Sequence, residues 1–66
     1  MKLRSVVSAL VSNGCRILRE GGKHTLWLCP CIAQHNAAVP RHREITAGVV
    51  GSIIKQLPCL PKGWLQ

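Results

Sequence analysis

Two apolar stripes with helical spacing stand near the ends of this chain, and the residues between them carry no helical period. Leu3, Val6, Val7 and Leu10 recur on one face of a helix, with Lys2, Arg4, Ser5, Ser8 and Ser12 turned away. Asn13-Gly14 ends that helix, because either residue accepts the left-handed conformation of a helix C-terminus. Val49, Val50, Ile53, Ile54 and Leu57 form the second stripe; Thr46 is placed to cap it and Pro58 to stop it. Gly48 and Gly51 weaken this second helix by about 1 kcal/mol each relative to Ala, so docking has to hold it.

The middle of the chain reads as strands. Cys15 to Arg19 alternates loosely, Gly21-Gly22 supplies a tight turn, and His24-Thr25-Leu26-Trp27-Leu28-Cys29 alternates again, which makes a hairpin. Pro30 closes its second strand, a loop runs through Gln34 to Asn36, and Ala37 to Pro40 forms a short third strand whose proline suits a strand end. The predicted fold is α+β in the order α-β-β-β-α: a three-stranded antiparallel sheet with two helices on one face. Residues 1–57 make the domain, and 58–66, with Pro61 and Gly63 and no period, read as a C-terminal tail that lays Trp64 on the surface.

A chain of 66 residues holds one small domain, and domains of this size bury only about 60% of their unfolded surface. An apolar content of 47% excludes a disordered basic tail. Two helices cover one face of a sheet only. Strand alternation puts Thr25, Trp27 and Cys29 on one face and His24, Leu26 and Leu28 on the other. With Trp27 as the core residue, His24 stands on the open face, and Leu26 and Leu28 leave beside it an apolar strip suited to a protein partner. The reverse assignment buries the histidine with the two leucines.

Charge narrows the partners. Nine Lys and Arg against Glu20 and Glu44 give +7, which favours polyanions, nucleic acid first, or an acidic protein. Arg16, Arg19, Lys23, Arg41 and Arg43 fall on strands and loops, compatible with a surface that tracks an RNA backbone. His42, between Arg41 and Arg43, is placed to touch a phosphate, but nothing in the sequence fixes its distance from His24. His35 lies in a loop and carries no signal, and Trp27 reads as core.

The four cysteines, Cys15, Cys29, Cys31 and Cys59, read as free thiols or small buried residues in a reducing cytosol. Structural zinc usually takes paired ligands two to four residues apart. Here Cys29 and Cys31 flank a single proline, and the other two stand far along the chain from any second thiol, so no metal is expected. The apolar run Val6–Val11, interrupted by Ser8, is too short for an export signal, and no stretch approaches the about 20 apolar residues of a membrane span. The expected protein is cytoplasmic and makes no membrane contact.

Gly21-Gly22-Lys23-His24 sets a histidine at the head of a strand, beside a glycine turn and a lysine. Bare glycine backbone admits a phosphodiester, Lys23 offers positive charge, and an imidazole exchanges a proton near neutrality. Three stretches in order, Gly14 to His24, Val39-Pro40-Arg41-His42-Arg43-Glu44-Ile45 and Ser52-Ile53-Ile54-Lys55-Gln56-Leu57, resemble the HicA (YcfA-like) family of toxin ribonucleases. The resemblance runs from the first helix to about Leu57. It implies a fold like the double-stranded RNA-binding domain and a metal-independent endoribonuclease, without cofactor, that cleaves mRNA and stops translation. His24 matches the family's catalytic histidine and Gly22 the glycine before it, while Lys23 stands where a small polar residue is common. The resemblance also implies a HicB-like antitoxin over His24, Leu26 and Leu28, the chain being a monomer alone and a hetero-oligomer with that partner. Gly22, Lys23, Arg16, Arg19, Arg41, His42 and Arg43 are the candidate RNA contacts. Two other readings of the same chain are a non-catalytic RNA-binding module of this fold and a purely protein-interacting subunit.

Overall fold

The computed structural model describes residues 1–65, in the order α1 (Leu3–Ser12), β1 (Arg16–Glu20), β2 (His24–Leu28), β3 (Asn36–Pro40) and α2 (Ala47–Gln56). The predicted α+β order is the observed one; Gln66, the end of the predicted tail, lies outside the described residues. The three strands form one antiparallel sheet with β2 in the middle. No helix among the described residues is long and apolar enough to cross a membrane.

Alternation along β2 decides which face is covered. Thr25, Trp27 and Cys29 are buried, and Trp27, Ala37 and Val39 join Val6 and Leu10 of α1, Ile53 of α2 and Leu57 in one core. Trp27 therefore points inward and His24 outward. The helices cover β2 and β3 but not β1, whose five residues are all exposed; Ile17 and Leu18 keep about half their surface in water, at 48% and 49%.

Each helix end is tied to a neighbouring segment. Lys2 gives α1 no side-chain cap; instead the Leu3 N–H donates to the Arg43 carbonyl at 2.9 Å, and the terminal amine bonds Glu44 at 2.9 Å and the Ile45 carbonyl at 3.0 Å. Gly14 leaves the helix at φ +81°, and a Cβ there would also meet Pro30 Cγ at 3.3 Å, so conformation and space both call for glycine. Thr46 caps α2 by accepting from the Val49 N–H at 3.4 Å. At the other end Gln56 Oε1 accepts from the Ala38 N–H at 3.1 Å, which satisfies an edge donor of β3.

Gly48 and Gly51 have nothing within 4 Å of where a Cβ would stand, and neither has positive φ. Gly48→Ala and Gly51→Ala are each expected to raise stability by about 1 kcal/mol, read as a higher urea midpoint at unchanged slope.

The C-terminal segment behaves differently from the surface tail the sequence predicts. Leu65 is 2% exposed and joins the core, and Trp64 packs half-buried against it. After Pro58 the chain folds back onto the domain, and the aperiodic stretch buries Leu65 and half-buries Trp64, which no helical or strand period announces.

Candidate functional site

His24 is exposed and opens β2, directly after the turn Gly21-Gly22-Lys23. The turn is closed by the Gly21 N–H donating to the His24 carbonyl at 2.8 Å, so that amide is not free for a phosphate. Neither glycine has positive φ, and the space around Gly22 is open, so neither conformation nor space calls for glycine at Gly22. Arg41 holds the turn from outside: its guanidinium donates to the carbonyls of Gly21 and Gly22 and pairs with Glu20 at 3.2 Å, while its N–H donates to the Lys23 carbonyl at 3.1 Å. Among the described residues no side-chain hydrogen bond reaches the His24 ring.

The rows across the sheet identify what shares the open face with His24, because residues directly opposite in antiparallel strands point to the same side. His24 faces Pro40; Leu26 lies between Arg19 and Ala38; Leu28 lies between Arg16 and Asn36. Arg16 and Arg19 are three residues apart, a spacing that regular alternation assigns to opposite faces. A β-bulge between Ile17 and Arg19 adds one residue to β1 and brings both arginines round to the side of His24. The resulting surface is two exposed arginines and an exposed histidine around half-buried Leu26 and Leu28.

The other expected contacts divide. Lys23 is exposed in the turn beside His24, and Arg41 is brought to Gly22 but has its guanidinium engaged by the turn. His42 is exposed in the following loop. Arg43, exposed in the same loop, lines a groove with Lys2, Leu3, Arg4, Val7 and Glu44 at the start of α1.

A second group of chemistry-bearing side chains lies at the opposite end of β2. Cys29, Cys31 and Cys59 have their sulfurs within 4.8 Å of one another. Cys29 and Cys59 are joined as a disulfide with Cα atoms 7.5 Å apart, which corrects the expectation of free thiols for this pair; Cys15 and Cys31 are free. His35 Nδ1 stands 3.3 Å from Cys31 Sγ, and the Cys29 N–H donates to the His35 carbonyl at 2.8 Å. The spacing argument counted neighbours along the chain, whereas the return of the C-terminal segment after α2 carries Cys59 to the β2–β3 loop. The signal present in the sequence was Cys29-Pro30-Cys31 with His35 four residues on. Cys15 is buried nearby, and desolvation first, then the Cys31 charge, pushes its thiol above the ordinary range.

None of the known protein families, curated proteins or solved structures compared with this chain matches it, so the likeness to HicA toxins rests on the residues quoted above.

Proposed function

We propose that the chain is a HicA-like endoribonuclease that cleaves mRNA on the open face of its sheet, with His24 as the catalytic residue. The supporting observation is the alignment, by the β1 bulge, of Arg16 and Arg19 with an exposed His24. Phosphates of a single strand would lie along the arginines, and the neighbouring leucines would meet sugar or base surface.

In the reaction proposed, the ribose 2′-oxygen bonds to the adjacent phosphorus as the bond from phosphorus to the 5′-oxygen breaks. His24 takes the 2′-hydroxyl proton, and the departing 5′-oxygen is protonated from water. The exposed ammonium of Lys23 stabilises charge on the phosphorane oxygens. Arg41 acts as a positioning residue, by holding the turn that presents His24. The products are a 2′,3′-cyclic phosphate and a 5′-hydroxyl, and DNA is refractory because it lacks the nucleophile.

A HicB-like acidic antitoxin would silence the enzyme in the cytoplasm by covering His24, Leu26 and Leu28. The test of the activity is RNA incubated in chelator with the disulfide-intact chain and with His24→Ala. Cleavage by the first and not by the second supports the reading. Binding without cleavage by either leaves a non-catalytic RNA-binding module, and absence of both cleavage and salt-sensitive binding leaves a protein-interacting subunit.

A further inference from the structure

Three sulfurs and an imidazole meet where the β2–β3 loop is crossed by the segment after α2, and the RNA reading makes no use of them. The three sulfurs are close enough together to serve one ion once the Cys29–Cys59 bond is opened; His35, beside Cys31, stands outside that set of three and has to turn toward it to complete the sphere. In a tetrahedral zinc site with Zn–S about 2.3 Å and Zn–N about 2.0 Å, ligand atoms lie about 3.8 Å apart for two sulfurs and about 3.5 Å apart for sulfur and nitrogen. The sulfurs of Cys29, Cys31 and Cys59 lie within 4.8 Å of each other, and His35 Nδ1 is 3.3 Å from that of Cys31. The Cα atoms of Cys29 and Cys59 are 7.5 Å apart, above the about 4.4–6.8 Å at which disulfides usually sit. Moving two sulfurs from a bond of about 2.0 Å to an edge of about 3.8 Å accommodates a wider backbone spacing of this kind.

The backbone holds three of the four ligands independently of any ion. The bond from the Cys29 N–H to the His35 carbonyl closes the loop that carries three of them, and a second, from the Gln34 N–H to the Cys31 carbonyl at 3.0 Å, turns the chain inside it. Gln34 takes φ +55° there, a left-handed conformation in which a non-glycine residue is uncommon. Cys29 is buried, Cys31 half-buried and Cys59 exposed, so the cluster has one side open for an ion to enter.

We propose that the dithiol form of this chain binds one Zn²⁺ through Cys29, Cys31, Cys59 and His35. Two electrons from a thiol reductant, itself oxidised to its disulfide, and two protons open the Cys29–Cys59 bond. Zn²⁺ then replaces the protons of the three thiols, which pass to the buffer, and His35 binds as the neutral imidazole. Three thiolates and one nitrogen close the coordination sphere, which makes the site structural and not catalytic. It fastens the C-terminal segment to the sheet in a domain whose small core leaves little stability in reserve.

The test is an anaerobic Co²⁺ titration of the full chain, reduced with a phosphine and checked for four titratable thiols. The proposal predicts the ligand-field absorption of tetrahedral, thiolate-bound cobalt, saturating at one ion per chain and lost on adding Zn²⁺. Changing a group that only touches a ligand costs about 10–100-fold in metal affinity, so Cys31→Ser, Cys59→Ser and His35→Ala should each weaken binding at least about tenfold. His35→Cys should restore it, which keeps the test decisive where His35→Ala disturbs the loop. The proposal is overturned if the reduced chain gives no tetrahedral spectrum, if only two thiols appear after reduction, or if Cys15→Ala weakens binding while His35→Ala does not.

Discussion

RNA cleavage by the His24→Ala protein should fall by about 10²–10⁴-fold, the contribution of a positioned proton-transfer group, with RNA affinity within about twofold of the parent. Separation of the two effects follows from the surface. His24 is exposed at the strand head, so its loss removes no core contact, and the arginines that would hold phosphate lie on the rows of Leu26 and Leu28. The measurement is single-turnover cleavage in chelator, paired with a binding isotherm on an RNA carrying 2′-deoxy at the cut site. A variant that loses affinity and rate together would make His24 a binding residue and move the chemistry elsewhere.

Leu10→Ala should lower stability by about 2–5 kcal/mol, the range for truncating a fully buried leucine. Leu10 is 0% exposed and joins α1 to Trp27 and Ile53 in the core. A domain of this size has a folding free energy of only a few kcal/mol, so this change alone takes most of it. The neighbouring Val11→Ala serves as the contrast: Val11 is 59% exposed, and its truncation should stay within about 0.5 kcal/mol. Urea midpoints of the two variants check the pair, and equal losses would contradict the assigned packing of α1.

The open and covered faces of β2 were legible because one strand carries Trp27 between two leucines, and burial of the largest side chain selects a single alternation. Helix ends were legible at Asn13-Gly14, Thr46 and Pro58, where the terminating chemistry is local. What was not legible depends on contacts between distant segments. A bulge is an insertion relative to a partner strand, so nothing in Arg16 to Arg19 alone announces that both arginines share the face of His24. Arg41 reads as a free cation in the sequence, yet the return of β3 beside β2 puts the turn carbonyls within its reach. Cys59 and Leu65 belong to a segment without period, and their place is decided by where α2 ends and how the chain folds back from there.

The central claim is that the open face of the sheet is the RNA-binding surface, and amide-resolved NMR tests it directly. The ¹⁵N-labelled chain is titrated with a 2′-deoxy-blocked RNA at low and high salt. The account predicts shifts at Arg16, Arg19, Lys23, His24, Leu26, Leu28 and Ala38 that fade as salt rises. Shifts confined to the groove of Lys2, Arg4 and Arg43, with the open face unmoved, would contradict it.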